Sequence, residues 1–329
     1  MSDAAPERAP VVALAGGVGA ARFLRGLVQV VPASEIVAVV NTGDDRVFYG
    51  VHVSPDLDIV TYSLAGAVDP ERGYGLAGDT TQMVDRLGEL GHESWFRLGD
   101  RDYANCLHRT WRLAEGASLS RVADELRRSY RLELRVLPMS DDPCPTLVEL
   151  TGGRSVHFEE YMVRDGAPSD VEAVDLSAAQ AARPASGVLD AIDSARAILV
   201  CPSNPVVSIG PILALPGVLE AIGAARAPVV GVSPIVGGAP IKGPATQLLR
   251  GVGCEVSARG VAKLYAGWID GFVIDERDAE QQADVEALGL ACTALNTMMV
   301  DGAASKRVAS AAIGLADQIA RERAEEKPA

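Results

Sequence analysis

Aromatic residues make up only 5% of the chain, too few for a base-stacking platform to stand out. Acids outnumber bases, 44 against 30, and the resulting net charge of −14 would repel a nucleic-acid backbone, so nucleic-acid binding is not expected. Cysteine is scarce. Cys106, Cys144, Cys201, Cys254 and Cys292 form no Cys-x-x-Cys pair, which removes the usual zinc-ribbon and redox spacings and leaves reduced thiols. Cys201 falls in a loop of interest, but a buried cysteine more often serves as a small hydrophobe than as a nucleophile. His52, His92, His108 and His157 show no metal spacing and no nucleophile partner, and are read as structural. No apolar run approaches the roughly 18 to 20 residues of a membrane helix, and residues 1–10 read as a polar tail without a signal stretch. Neither secretion nor membrane insertion is expected, and the reading is cytoplasmic.

The chain does have length and apolar content: 329 residues, 48% hydrophobic, enough for one large domain or about two. Four short apolar runs lead straight into polar loops: residues 11–15 into Gly16, Gly17 and Gly19; 36–40 into Asn41, Asp44 and Asp45; 197–200 into Ser203 and Asn204; 229–232 into Ser233. Such continuous runs suit strands buried on both faces of a parallel sheet. Ligands of these sheets bind beyond the carboxyl ends of the strands, so the four loops are expected to meet at one cleft, with a phosphate-bearing ligand the natural guess.

Strand, glycine loop, a helix over 20–31 and a second strand form a βαβ beginning. From about residue 80 the pattern changes, with helices expected over 80–90 and 102–114 and a third opened by Ser118. Two strand-like runs, 146–150 and 156–161, flank a Gly-containing connection and read as an antiparallel hairpin. The α/β alternation then resumes through 187–194, the two loop-ended strands and a strand over 271–274. Residues 303–326 are helix-prone. The fold class is therefore α/β, with a core of 11–79 and 186–302, a smaller α+β insert over 80–185, and a terminal helix and tail over 303–329.

The glycine loop lets backbone N–H groups approach a phosphate, with the following helix adding a favourable field. It is not a Walker A motif, because no Gly-Lys-Ser/Thr follows, and the second strand ends in Asn41 where a dinucleotide fold offers an acid for ribose. Ordinary NAD binding is therefore disfavoured. The acids come in pairs: Asp44 with Asp45, Asp56 with Asp58, Asp100 with Asp102, Asp141 with Asp142. Each pair alone suits a turn or a helix cap. Their joint placement beside an anionic ligand calls for a hard divalent ion as countercharge, and one of these acids could take a proton from an attacking hydroxyl. Arg22, Arg97, Arg101 and Lys242 are the cations best placed for phosphate or carboxylate. Ser203, Asn204, Ser208 and Ser233 offer hydrogen bonds from proline-stiffened loops. Trp95 and Phe96 could line a flat ring pocket, with core packing the alternative.

Taken together, these motifs resemble the 2-phospho-L-lactate transferase family, which includes the phosphoenolpyruvate transferases of coenzyme F-420 synthesis. The resemblance runs through residues 15–22 (Ala-Gly-Gly-Val-Gly-Ala-Ala-Arg), 40–45 (Val-Asn-Thr-Gly-Asp-Asp), 54–58 (Ser-Pro-Asp-Leu-Asp), 98–102 (Leu-Gly-Asp-Arg-Asp), 137–142 (Leu-Pro-Met-Ser-Asp-Asp), the Pro-Ser-Asn-Pro of 202–205 and the Ser-Pro-Ile-Val-Gly-Gly of 233–238. It implies a Rossmann-like three-layer α/β/α core with a smaller domain, as a homodimer. It also implies a magnesium-dependent transfer from a GDP-activated three-carbon phosphoacid to the ribityl 5′-hydroxyl of the deazaflavin Fo, releasing GMP. On that resemblance Asp58 and Arg97 contact the deazaflavin. The loops of Gly16, Gly17 and Gly19, of Ser203 and Asn204 and of Ser233 hold the nucleotide on that resemblance, and Arg22 and Lys242, read above as phosphate-binding cations, are placed on its phosphates. Asp44, Asp45 and Asp56 supply metal ligands and base, in an order the sequence leaves open.

Val18 and Arg22 stand where archaeal members tend to have Thr and Lys, which leaves phosphoenolpyruvate, 2-phospholactate and 3-phosphoglycerate open as donors, with phosphoenolpyruvate favoured. The rival is a nucleotide-sugar-binding regulatory protein of the gluconeogenesis-factor type, which shares the first two loops. The segments 54–58, 98–102 and 137–142 favour the transferase.

Overall fold

A computed structural model describes residues 9–325; the first part of the polar tail and the last residues of the terminal segment lie outside the described residues. Seven strands form the main sheet: β1 (Val11–Ala15), β2 (Ile36–Val40), β3 (Arg135–Pro138), β4 (Ala197–Val200), β5 (Val229–Val232), β6 (Gly271–Asp275) and β7 (Ala291–Leu295). They lie in the order β7-β6-β5-β4-β1-β2-β3, and every pairing is parallel. The chain turns back on itself between β1 and β4, the switch point at which doubly wound sheets open a crevice.

The continuous apolar runs form strands because both faces are covered. Alternate residues of β1 and β2 point to opposite sides: Val12, Leu14, Val37 and Val39 into one apolar cluster, Val11, Ala13, Ile36 and Ala38 into another. Helix Gly17–Leu27 covers the second face with Phe23, Leu24 and Leu27, and helix Gly302–Glu325 adds Val308, Ala309 and Ala312. These two helices touch at Gly26, where a Cβ would lie 2.1 Å from the Ser305 carbonyl oxygen, so any larger residue there would force the helices apart. Among the described residues no single helix is long and apolar enough to cross a membrane.

Two strands of the sheet were not expected. Arg135–Pro138 lies inside the stretch 80–185 read as an insert, yet it pairs with β2 as the sheet's edge, Val37 opposite Arg135. The interruption therefore falls in two pieces, one before and one after that strand. Ala291–Leu295 pairs with β6 at the other edge; its residues are only half-buried, which is why no continuous apolar run marks it. The expected hairpin forms, Leu147–Leu150 against Arg154–His157, and Val171–Asp175 joins it as a third strand. Its second strand stops at His157, and Glu160–Arg164 winds into a π-helical turn. The first helix spans Gly17–Leu27 where 20–31 was expected, so the glycine loop forms its first turn.

Candidate active site

Beyond the carboxyl ends of β1, β2, β4 and β5 lies a cavity of about 700 Å³, within the usual range for small-molecule sites. Gly16, Gly17 and Gly19, then Asp44, then Ser203 and Asn204, then Ser233 reach it from the four strand ends, as the loop pattern implied. Asp56, Asp58, Arg22, Arg97 and Lys242 line it as well.

The first loop is held from below. The Ser203 hydroxyl donates to the Gly16 carbonyl oxygen at 2.7 Å and accepts the Gly16 N–H at 3.2 Å, clamping the loop to the end of β4. Gly17 has φ +70, which side chains rarely adopt, and a Cβ on Gly19 would lie 2.2 Å from the Pro202 carbonyl oxygen. Asn204 caps the following π-helical turn, its Oδ1 accepting from the Val206 and Val207 N–H groups at 2.9 and 3.4 Å. Ser233 bonds the backbone of Ile235 in both directions at 3.1 Å. These polar side chains thus shape the loops that line the cavity.

The cations differ among themselves. Of the four that line the cavity, Arg72 is paired with Asp69 and Arg97 with Asp85 at 2.7 Å, whereas Arg22 and Lys242 have no hydrogen-bond or ion-pair partner among the described residues. Both approach the same spot, since a Cβ on Gly73 would meet Lys242 Nζ at 3.6 Å and Arg22 at 3.7 Å. Two unpaired cations beside one cavity form a site for an anion. Arg101 instead donates to the Ala77 carbonyl at 3.2 Å.

The same cavity is lined by acids without a resident countercharge. Asn41, fully buried, donates to Asp44 Oδ1 at 3.1 Å and to Asp56 Oδ2 at 2.9 Å, while its own Oδ1 accepts the Gly43 N–H at 2.9 Å. The residue that breaks the dinucleotide pattern is therefore the one that aligns two carboxylates. Glu159 joins them from the insert; it is 2% exposed, lines the cavity, and its carboxylate has no hydrogen-bond or ion-pair partner among the described residues. Burial, then Asp56 and Glu159, push the Asp44 carboxyl well above the usual carboxylate range. Burial pushes Asp56 up to about 6 against hydrogen bonds from Asn41 and the Gly17 N–H. Burial and Asp56 push Glu159 up to about 8, with Arg46 opposing. All three shifts report carboxylates removed from water with too little positive charge nearby.

Asp45, expected with Asp44 as metal ligand or base, is not among the residues that line the cavity. Its Oδ2 accepts from Ser54 at 2.7 Å and pairs with His52 at 2.9 Å. Asp58 lines the cavity but is locked from behind by the guanidinium of Arg109, which is 1% exposed; Arg109 Nη1 reaches Asp58 Oδ2 at 3.1 Å and Nη2 reaches Oδ1. The remaining acids have local duties: Asp100 caps helix Gln82–Glu89 at the Gln82 and Met83 N–H groups, Asp141 accepts from Ser120, and Asp142 from Arg183. Phe96 lines the cavity and stacks on Phe48 with centroids 3.9 Å apart, while Trp95 packs edge-on against the same ring. Cys201 is 1% exposed and burial drives its thiol far up, which makes it the small hydrophobe. His157 is held neutral by burial and by Arg46, down at about 4.

Glu159 and Arg109 were missed in the sequence, and Asn41 was noted only as the strand-end residue that breaks the dinucleotide pattern. Glu159 follows a strand of the hairpin and Arg109 lies mid-helix, with nothing local to mark either.

The model of the family described as 2-phospho-L-lactate transferase CofD matches residues 11–310. A phosphoenolpyruvate transferase of Kitasatospora aureofaciens is 49% identical over 315 residues, covering 94% of this chain and 98% of that protein. A phosphoenolpyruvate transferase of Streptomyces coelicolor is 46% identical over 314 residues, 94% and 98% of the two chains. A 2-phospho-L-lactate transferase of Methanosarcina acetivorans is 38% identical over 309 residues, 94% of this chain and 100% of that one. Among solved structures, a Bacillus halodurans protein superposes with a TM-score of 0.61 at 20% identity over 93% of this chain and 99% of that one, a likeness of fold alone.

Proposed function

The chain belongs to the 2-phospho-L-lactate transferase family and is a transferase enzyme; from that premise we propose that it moves a phosphoenolpyruvyl unit from a GDP-activated donor to the ribityl 5′-hydroxyl of the deazaflavin Fo, releasing GMP. Phosphoenolpyruvate is preferred over 2-phospholactate and 3-phosphoglycerate because the Kitasatospora and Streptomyces relatives, at 49% and 46% identity, carry that name. The observation that carries the reading is the polarity of one cavity. Its lining brings together the unpaired cations Arg22 and Lys242 and the uncompensated carboxylates of Asp44, Asp56 and Glu159.

The hydroxyl oxygen attacks the phosphorus that bears the three-carbon acid, the bond from that phosphorus to the GMP oxygen breaks, and the hydroxyl proton passes to a carboxylate. Such chemistry asks the protein for position and charge neutralisation, with little covalent participation. That agrees with an inert Cys201. Arg22 and Lys242 would hold the donor's phosphates. Hard oxygen donors without a resident cation fit Mg²⁺, and Asp44, Asp56 and Glu159 would hold it. When bound, the ion neutralises the charge that develops on the transferring phosphate. Asn41 keeps two of these carboxylates aligned whatever occupies the site. Asp58 and Arg97 line the cavity and would receive the deazaflavin.

The test is mass spectrometry of the protein with Fo, magnesium, GTP and a guanylyltransferase, with each of the three candidate acids in a separate reaction. A new deazaflavin phosphodiester in the phosphoenolpyruvate tube is expected. No product in any tube, with the coupling enzyme shown active, would shift the reading to a nucleotide-sugar-binding protein.

A further inference from the structure

The wall around Asp58 holds more ionisable groups than an ion pair requires. One carboxylate oxygen of Asp58, one of Asp102 and the Cys106 sulfur all lie within 4.8 Å of one another. This is not a metal site, because the Arg109 guanidinium already contacts both Asp58 and the Cys106 sulfur, the latter at 3.7 Å. Arg109 compensates Asp58 and leaves Asp102 as the second acid. Asp102 Oδ1 accepts the Tyr62 hydroxyl at 2.7 Å, and Asn105 donates to both the Tyr62 and Tyr130 oxygens at 3.0 Å, so the group is held in place. Its other oxygen, Oδ2, has no partner among the described residues, and Asp102, Asp58 and Tyr62 all line the cavity.

Burial and the neighbouring Asp58 push the Asp102 carboxyl up to about 7, with Tyr62 and Arg109 opposing and Asp79 assisting. At neutral pH it therefore carries a proton for much of the time. Tyr62 and Cys106, which also face it, are driven well above their usual values by burial, so they stay protonated. The wall thus presents a hydrogen-bond acceptor, Asp58, beside a donor, protonated Asp102.

We propose that Asp102 is a substrate-positioning residue that, together with Asp58, reads the cis-amide edge of a planar heterocycle: Asp58 accepts the ring N–H and the Asp102 carboxyl donates its O–H to the adjacent ring carbonyl. This rests on the acceptor reading above, since the pyrimidinedione edge of a deazaflavin offers that pair. It assigns ring recognition to a residue placed beyond the contacts of Asp58 and Arg97.

Calorimetric titration of the full chain with Fo between pH 6 and 8.5 tests it, comparing wild type, Asp102→Asn and Tyr62→Phe. The asparagine amide still donates but cannot titrate. The ratio of wild-type to Asp102→Asn affinity is expected to fall about tenfold for each unit above the Asp102 midpoint, and this ratio cancels any ionisation of Fo itself. In Tyr62→Phe the midpoint moves up, because the hydroxyl no longer stabilises the ionised form. A ratio independent of pH, or a midpoint unmoved in Tyr62→Phe, overturns the role of Asp102. A wild type that binds no Fo at any pH overturns the acceptor reading itself, which is a separate result.

Discussion

Asp56 and Asp58 stand two positions apart on helix Pro55–Leu64, both about 5% exposed, yet the fold treats them in opposite ways. Asp58 is matched by Arg109, a buried cation supplied by helix Asp100–Ala114 and fixed between the Asp58 carboxylate and the His52 carbonyl at 3.1 Å. Asp56 is matched by hydrogen bonds only, from Asn41 and Gly17, and faces two further acids. Burial makes Arg109 harder to charge, and Asp58 more than reverses this, holding it far above its ordinary value. The lesson is a division of labour. One carboxylate is paired with a resident charge; the other is left in deficit, which is what a site must do if it is to take its positive charge from solution.

Removing each partner should separate the two. Asp56→Asn is expected to lower turnover by on the order of 10²- to 10⁴-fold, while the metal-free protein melts no lower than wild type because a repulsive charge has gone. A variant that keeps normal turnover, or one that loses stability, would erase the distinction between the pair.

Arg109→Met should do the reverse. It strands a buried carboxylate at Asp58 and should cost about 3–5 kcal/mol in chemical denaturation, and adding Asp58→Asn should recover most of the loss. Equal destabilisation in the single and double variants would show that Arg109 acts by packing alone.

A milder effect is expected at the cationic side. Arg22→Ala and Lys242→Ala should each weaken the nucleotide donor by about 10- to 100-fold in KM, through loss of charge-assisted hydrogen bonds, leaving the melting temperature unchanged because neither side chain has a partner to lose. A fall in stability without a change in KM would place them in the scaffold.

The smallest effect is a pH trend. The folded-state values of Asp56 and Glu159 are raised, from 3.8 to about 6 and from 4.5 to about 8, so their contribution to stability is intact below pH 4 and is lost as pH rises through those values. The magnesium-free protein should therefore lose thermal stability between about pH 4 and 8, apart from any acid unfolding, and magnesium should restore it most at the upper end. Glu159→Gln should flatten that part of the trend above pH 6. An unchanged slope would mean that Glu159 is compensated in solution.

How far the sequence foretold this follows from the range of its signals. β1, β2, β4 and β5 were legible because burial on both faces leaves an unbroken apolar run, and the loops after them lead to the cleft for the same topological reason. Asp44 was legible as an acid in such a loop, and Asp56 as one of the pair in the Ser-Pro-Asp-Leu-Asp segment. Asp45 was not distinguishable from Asp44, because which of two adjacent carboxylates lines the cavity and which pairs with His52 and Ser54 is settled by residues seven and nine positions further on. Arg109 meets Asp58 across 51 positions, and Glu159 reaches the cleft only once the hairpin is docked; neither relation leaves a mark on neighbouring residues.

The contact at Gly26 and Ser305 bears on the order in which the molecule is made. The helix that starts at the glycine loop turns Phe23 and Leu27 toward the sheet, and its Gly26 face is covered by the terminal helix at Ser305. During synthesis that face emerges early and stays uncovered until the region around Ser305 leaves the ribosome. The helix behind the loop is therefore among the first parts of the molecule to be translated and among the last to be fully covered, so a chaperone or a nascent-chain contact has its longest opportunity there.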